Sequence, residues 1–275
     1  MAEEKKKLFS ISHSKLSCYR RCLQQYHWKY VDKHYPRSSI GQIRGTAGHA
    51  ALADWHVNYN KTSAMQAAWD SWSGESLADS PAWLLLANAL NRYFAWSEEN
   101  DTFKVLAAEY KFDIHYENPP VRFTGYIDGI IEEKDGRRWL LENKFLKRVA
   151  TKHLDMDIQA TLYLLAAQLL GKEVEGVLYN IVRVGDAKIA LTEPAVRKYL
   201  YRNAAGLKRV NREILYQAEQ MLKYEKEGGH PYRNPTRDCS WDCSFFSTCL
   251  SMLDNGEESL EQLQSVCHID KKKGE

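Results

Sequence analysis

The sequence predicts an α/β protein in which a central mixed β-sheet is flanked by helices. Apolar residues recur at helical spacing between 14 and 99, alternate with polar or small residues between 106 and 145, and return to helical spacing after 196. With 275 residues, of which 44% are apolar and 27% charged, the chain has a globular composition and can bury a substantial core.

The predicted elements follow in order along the chain. Apolar spacing predicts amino-terminal helices over 14–31, 42–58, 62–72 and 82–99. Alternation and turn residues predict strands over 106–116, 121–133 and 137–145. The last part is predicted to contain a helix over 152–170, a strand over 174–184, and a long helix that includes Val196 and Leu200 and ends at Gly228-Gly229.

Charge and hydropathy exclude some classes of protein. No apolar run reaches the ~18 residues of a membrane span, and the start MAEEKKKLFS has no apolar stretch typical of a secretory signal. We therefore expect a cytoplasmic protein with no membrane partner. The net charge is only +2, so any contact with a polyanion must be local, and two basic stretches lie at 137–153 and 197–212.

Three polar residues in the predicted hairpin are candidates for metal-dependent chemistry. Glu142 and Lys144 are two residues apart on one strand, so their side chains share a face, and Asp128 lies on the preceding strand. Two carboxylates can hold Mg²⁺ or Mn²⁺, which activates water and offsets phosphate charge, while the lysine stabilises charge on phosphorus. The pattern alone is weak, because such triplets are common on solvated strands.

Further motifs stand in order around this group. His49 ends Gly45-Thr46-Ala47-Gly48-His49 on the second helix, and Gln159 and Tyr163 share a face of a later helix. The order of helical histidine, G-x-x-D, E-x-K and Q-x-x-x-Y, over about residues 10–250, resembles the RecB-like branch of the PD-(D/E)XK nuclease superfamily. The opening FSISHSKLSCYRRCLQQYHWKYV is similar to the first helix of that family, although Leu23 replaces the proline of its Cys-Pro.

The resemblance implies roles for the motif residues. It makes His49, Asp128 and Glu142 metal ligands, Lys144 the catalytic lysine, and Gln159 and Tyr163 a supporting pair that faces DNA or the metal-bound water. Two alternatives remain: Glu109 could support a second ion, and His56, seven residues after His49, could compete as ligand. Without the other motifs, His49 would be better explained as a buried core histidine.

The cysteines indicate a second metal centre. A C-x3-C-x5-C motif consists of Cys239, Cys243 and Cys249. Three short-spaced cysteines hold one centre only with a fourth ligand. The resemblance implies that Cys22 is this ligand and that the centre is a [4Fe-4S] cluster, as in AddB-type nucleases and CRISPR-associated exonucleases. The first gap is one residue longer than usual, so structural Zn²⁺ is the alternative. Cys18, one turn before Cys22, is the rival ligand, and Cys267 is expected to be a free thiol.

The resemblance as a whole implies one RecB-like nuclease domain over 1–275 with a restriction-endonuclease-like sheet. We expect a helical insert at 60–100 and an iron–sulfur segment at 230–250 that pairs with the amino-terminal helix.

The implied activity is that of a Mg²⁺- or Mn²⁺-dependent exonuclease. It would act on single-stranded or end-resected DNA in recombination, repair or phage DNA metabolism, with recombination or CRISPR-adaptation proteins as candidate partners. Lys147 and Arg148, in the first basic stretch, are expected to contact phosphates. The alternatives are a non-catalytic DNA-binding or partner-recruiting module and an iron–sulfur redox sensor, either of which would keep the fold.

Overall fold

The structure is a computed structural model that describes residues 8–72, 80–185, 188–256 and 259–267. The described strands are β1 (Phe9–Ile11), β2 (Lys104–Tyr116), β3 (Val121–Glu132), β4 (Arg138–Leu146), β5 (Gly176–Arg183) and β6 (Ala195–Tyr201). The described α-helices are α1 (His13–Arg21), α2 (Leu23–Tyr26), α3 (Ile40–Asn58), α4 (Lys61–Trp72), α5 (Pro81–Asn100), α6 (Ile158–Leu169), α7 (Lys188–Thr192), α8 (Ala204–Glu227), α9 (Cys239–Asp242), α10 (Phe246–Asn255) and α11 (Leu260–Val266).

The chain divides into two compact units. The larger comprises 39–115 and 122–213, and the smaller comprises 1–38, 116–121 and 214–275. The single domain predicted over 1–275 stays a prediction, and both ends of that range lie outside the described residues. None of the helices in the described part of the chain combines the length and hydropathy needed to cross a membrane.

The larger unit contains the mixed sheet that the sequence predicts. Its strands run in the order β2-β3-β4-β5-β6. β4 pairs with β3 in the antiparallel sense and with β5 in the parallel sense, and β6 returns antiparallel to β5. The parallel pair requires a crossover, which α6 provides. Helices pack on β4 and β5, so the prediction of a central mixed sheet flanked by helices is confirmed.

A buried aromatic cluster holds α3, α4 and α5 against the strands. Trp55 of α3 and Phe94 of α5 pack with their ring centroids 4.7 Å apart, and Phe145 of β4 joins the same cluster. Small buried residues on α4, Ala64 and Ala68, allow that helix to approach closely. The segment expected to be a helical insert, 60–100, forms α4 and α5, while its residues 73–79 lie outside the described residues. Its status as an insert stays a prediction.

The helix predicted over 14–31 is interrupted in the smaller unit. Cys22 has extended backbone angles, φ −162° and ψ 119°, so α1 ends before it, and α2 and a π-helix over His27–Val31 follow. The interruption frees backbone groups, which the carboxyl-terminal segment satisfies. Gln24 donates its backbone N–H to the Tyr232 carbonyl at 3.0 Å, and the Asn234 side chain donates to the Arg21 carbonyl at 2.9 Å.

The core of the smaller unit joins the two ends of the chain. Trp28 is fully buried against Phe245, with ring centroids 5.2 Å apart, and Leu263 and Cys267 complete the cluster. Cys267 has no disulfide partner, but it is buried here rather than exposed in a polar tail.

The prediction that the long helix includes Val196 and Leu200 is wrong, because the helix begins later in the chain. Residues Ala195–Tyr201 form the edge strand β6, and α8 begins at Ala204. Val196 and Leu200 are four residues apart, which fits a helix, but they pair with Ile181 and Val177 of β5 instead. The helix predicted over 152–170 likewise begins as a 3₁₀ turn at Lys152–Met156.

Several basic side chains of the stretch 197–212 form ion pairs or hydrogen bonds within the larger unit. Arg197 pairs with Asp101, Lys198 lies 2.6 Å from the Asp155 carboxylate, and Arg202 donates to the Thr161 hydroxyl at 3.0 Å. These three side chains therefore hold loops and helices in place.

Candidate active site and cysteine cavity

Three candidate ligands converge in the larger unit. His49, Glu109 and Asp128 each offer a ligand atom, and these atoms all lie within 4.8 Å of one another. Among the described His, Cys, Asp and Glu residues, no other group of three meets this distance. His49 Nδ1 lies 3.2 Å from Asp128 Oδ2. Two carboxylate ligands suit Mg²⁺ or Mn²⁺.

The position of His49 depends on the glycine before it. An ideal Cβ at Gly48 would lie 2.4 Å from the Phe145 ring, so only glycine lets α3 approach β4 this closely. The His49 and Phe145 rings are then in edge contact, with centroids 5.7 Å apart. Burial disfavours a charged His49, but the hydrogen bond and charge of Asp128 outweigh burial and raise the pKa of the imidazole.

Glu109 joins the group through an unusual backbone conformation. Its φ of +48° is left-handed, which is rare for a residue other than glycine, especially within a strand. Such local distortions can re-aim a side chain at a functional site. Burial and the nearby charge of Asp128 raise the pKa of the Glu109 carboxyl. From the sequence, Glu109 was only an alternative that could support a second ion, whereas in the structure its carboxylate lies with His49 and Asp128.

Glu142 is buried beside this group with one oxygen available. Its side chain is 2% exposed, and Oε1 accepts a hydrogen bond from Lys144 Nζ at 2.6 Å. Oε2 has no hydrogen-bond partner. A buried carboxylate oxygen without a partner is costly, and a cation would relieve that cost. Burial and Asp128 raise the pKa of Glu142 to about 7, against the opposing charge of Lys144. The orphaned oxygen therefore fits a metal-ligand role.

Lys144 is held by a short chain of hydrogen bonds. Its Nζ donates to Gln159 Oε1 at 3.0 Å, and Gln159 Nε2 donates to the Tyr163 hydroxyl at 3.1 Å. Burial lowers the pKa of Lys144, but the charge and hydrogen bond of Glu142 outweigh burial, so its pKa is raised and the ammonium stays charged. The structure thus brings together all the motif residues that the resemblance singled out.

Asp157, which sequence reasoning missed, positions the supporting helix. Its side chain caps α6 by accepting the Gln159 backbone N–H at 2.8 Å, and its other oxygen accepts the Tyr179 hydroxyl at 2.8 Å. An Asp two residues before the motif glutamine is an N-cap signal, but it was obscured because the helix was predicted to begin at 152.

Other candidate residues lie outside the group. His56 is 3% exposed, and neither ring nitrogen has a hydrogen-bond partner. Burial, with a smaller effect of Arg197, lowers the pKa of His56 to about 4. Lys147 and Arg148 are exposed just after β4. They remain available to solvent.

The smaller unit contains a cavity lined by four cysteines. The cavity measures about 100 Å³, several times the roughly 10–15 Å³ that a cavity needs to hold one water. Its cysteines are Cys22, Cys239, Cys243 and Cys249. Cys18 does not line it. All of these cysteines are free of disulfides.

The cysteines of the cavity affect one another electrostatically. Burial, and then the neighbouring Cys243 and Cys22, raise the pKa of Cys249 to about 11. The Thr236 backbone N–H donates to Cys239 Sγ at 3.3 Å and lowers the pKa of that thiol. Several thiolates in one cavity would repel each other unless a cationic centre lies between them.

Comparisons with known proteins identify a family and a similar fold. The family model of the PD-(D/E)XK nuclease superfamily matches residues 10–250. The crystal structure of a "Putative exonuclease" from Eubacterium rectale is similar to the chain, with a TM-score of 0.55, 10% identity, and coverage of 85% of this chain and 86% of that one. The crystal structure of SSO0001 has a TM-score of 0.34, 13% identity, and coverage of 83% and 94%, which is too weak for inference. No curated protein matches the chain.

Proposed function

Because the chain belongs to the PD-(D/E)XK nuclease superfamily, we propose that it is a metal-dependent deoxyribonuclease of the RecB-like branch. We propose further that it is an exonuclease for single-stranded or end-resected DNA in recombination, repair or phage DNA metabolism. One observation carries the proposal: the ligand atoms of His49, Glu109 and Asp128 converge within 4.8 Å. The buried Glu142–Lys144 pair lies within electrostatic reach of the same Asp128.

The residues divide the work of phosphodiester hydrolysis. His49, Glu109, Asp128 and the free oxygen of Glu142 would hold Mg²⁺ or Mn²⁺, which supplies an acidified water and neutralises phosphate charge when bound. Lys144 presents a fixed positive charge to the attacking water or to the phosphate oxygens as negative charge develops.

The supporting residues fix the orientation of Lys144. Gln159 accepts a hydrogen bond from the Lys144 ammonium, and the Gln159 amide in turn donates to the Tyr163 hydroxyl. Glu142 keeps the ammonium charged despite its burial. The lysine therefore does not need to be reoriented during the reaction, which is the electrostatic advantage of a preorganised site.

End-labelled oligonucleotides test the proposal. Wild-type protein with Mn²⁺ or Mg²⁺ should release mononucleotides from single-stranded DNA, and a chelator should stop the reaction. Asp128→Ala should lower the rate by about 100-fold or more, because ligand and lysine act as a unit. Asp113→Ala is the matched control, since Asp113 is an exposed β2 carboxylate that pairs with Arg122 outside the group.

The outcomes discriminate between functions. Internal fragments instead of mononucleotides would indicate an endonuclease. Binding of DNA without cleavage under every metal condition would indicate a non-catalytic module. Cleavage that persists at the wild-type rate in Asp128→Ala would contradict the assigned site.

We propose that the cysteine cavity holds a [4Fe-4S] cluster. The cavity is lined by four thiols, which is the number of cysteine ligands that a [4Fe-4S] cluster requires. A site of four cysteines can also hold structural Zn²⁺, so the metal content decides between the two. The lining of the cavity supports Cys22, rather than Cys18, as the fourth ligand.

Anaerobic purification tests the cluster. The protein should be brown and contain iron and acid-labile sulfide. Cys22→Ser should lose the colour and melt at a lower temperature, whereas Cys18→Ser, one helical turn away, should keep both properties. Stoichiometric zinc without iron would contradict the iron–sulfur assignment.

A further inference from the structure

The strand that carries Glu142 and Lys144 has a buried asparagine between them. Asn143 is 2% exposed, and because side chains alternate along a strand, its side chain lies on the opposite face of β4. Its backbone N–H donates to Asp128 Oδ2 at 2.6 Å. Asn143 therefore connects the strand segment that carries Glu142 and Lys144 to the Asp128 carboxylate of the candidate metal group.

Two further buried polar residues hold the Asn143 side chain. Asn180 of β5 donates from Nδ2 to Asn143 Oδ1 at 2.8 Å and to the Tyr93 hydroxyl of α5 at 2.9 Å. Asn180 and Tyr93 are both fully buried. These three residues form what we call the asparagine ladder.

The residues of the asparagine ladder are polar, although they lie in an apolar part of the core. Apolar residues occupy the same helix-facing side of the sheet, including Phe145 and Val182. Burying two amides and a phenol costs free energy unless each polar atom is paired. Asn180 Oδ1 has no hydrogen-bond partner, so the ladder is not fully satisfied even in the native state. Packing alone does not account for these residues.

The ladder is specific for one strand register. Asn143 lies opposite Asn180 in the parallel β4–β5 pair. A shift by one residue would place the Asn143 amide opposite Tyr179 or Ile181 and turn the site residues to the other face. Buried asparagines fix register in the same way in coiled coils, at some cost in stability.

We propose that the asparagine ladder is a positioning device for the active site. It fixes β4 against β5 so that the Asn143 N–H holds Asp128 while Glu142 and Lys144 face the other side of the sheet. None of the three residues needs to touch DNA or metal. The inference rests on the proposed nuclease function, because it assigns the ladder to that site.

Metal binding measured without DNA separates positioning from folding. Calorimetric titration with Mn²⁺ should show that Asn143→Leu and Asn180→Leu weaken affinity by about 10- to 100-fold, the usual effect of losing a residue that orients a ligand. With single-stranded DNA, kcat should fall and KM should stay constant. Asn143→Asp keeps an acceptor for Asn180 and should recover part of the affinity.

Val182→Ala is the matched control, because Val182 lies on β5, is fully buried and has no part in the hydrogen bonds of the ladder. Its urea stability should fall while its Mn²⁺ affinity stays at the wild-type value. If the leucine variants do not fold, Tyr93→Phe decides, since it removes one hydroxyl and should weaken Mn²⁺ binding in the same direction.

Unchanged Mn²⁺ affinity in folded ladder variants would overturn the inference, and so would an equal loss of affinity in Val182→Ala. A wild type that binds Mn²⁺ and shows the ladder effect but cleaves no DNA would leave positioning intact and refute the nuclease. A wild type that binds no Mn²⁺ would overturn both.

Discussion

The contact between α3 and β4 leads to a prediction with a built-in control. In Gly48→Ala, the new methyl group would meet three atoms of the Phe145 ring at 2.4, 2.5 and 2.7 Å. Phe145 is 8% exposed within the aromatic cluster, so its ring has little room to move. Overpacking of this kind costs about 1–3 kcal/mol.

Gly45→Ala isolates that cost. Gly45 lies one turn earlier on α3, and a Cβ there would have nothing within 4 Å. Both substitutions gain about 1 kcal/mol from the better helix propensity of alanine. The difference between the two free energies of unfolding therefore equals the overpacking cost, about 1–3 kcal/mol.

Urea denaturation of the two variants measures this difference. Gly45→Ala should be more stable than wild type, and Gly48→Ala should be less stable than Gly45→Ala by the stated amount. Because His49 follows Gly48 directly, Gly48→Ala should also bind Mn²⁺ more weakly. Equal stability of the two variants would show that α3 does not depend on close contact with Phe145.

Two further predictions concern acid stability and DNA binding. Burial lowers the pKa of His56 in the folded protein to about 4, from an ordinary value of 6.5. Between these two pH values the unfolded chain binds a proton at His56 that the folded protein does not bind. The free energy of unfolding should therefore fall by up to about 3 kcal/mol as pH drops from 6.5 to 4. His56→Leu should remove this part of the pH dependence, and urea curves that shift with pH exactly as in wild type would contradict it. Lys147→Ala with Arg148→Ala should reduce the salt slope of single-stranded DNA binding by about 1.4, at 0.7 per phosphate contact. Arg137→Ala and Arg138→Ala are the controls, because both arginines already pair with acids of their own hairpin, and an equal slope change in them would refute the assignment.

The parts of the site that follow from local geometry could be predicted from the sequence. Alternation along a strand places Glu142 and Lys144 on one face, and helical spacing places Gln159 next to Tyr163. The mixed sheet followed from the change of period and from turn residues between the strands. Each of these features depends on residues close together in the chain.

Features that depend on tertiary contacts were not predictable. The left-handed φ of Glu109 has no marker in the sequence, because the residue is not a glycine. The interruption at Cys22 is stabilised by Tyr232 and Asn234, which are about 200 positions away, and Leu23 gives no proline signal there. β6 was mistaken for helix because Val196 and Leu200 fit both periods.

Asn180, a polar residue within an apolar strand, could have helped to predict which strands are neighbours. Asn180 interrupts the run Gly176–Arg183, all of which is buried except its last residue. Such a residue needs a partner, and Asn143 between Glu142 and Lys144 is the other buried amide nearby. Considering the two together would have predicted that β4 and β5 are neighbours.

The metal-dependent cleavage rate of Lys144→Met tests the central claim most directly. Methionine keeps the length of the side chain and removes the charge that Glu142 and Gln159 hold in place. With Mn²⁺ and end-labelled single-stranded DNA, we expect wild type to release nucleotides and Lys144→Met to lose about 100- to 1,000-fold in kcat, with Mn²⁺ and DNA affinities retained. A wild type without metal-dependent cleavage, or a Lys144→Met variant with full kcat, would contradict the claim.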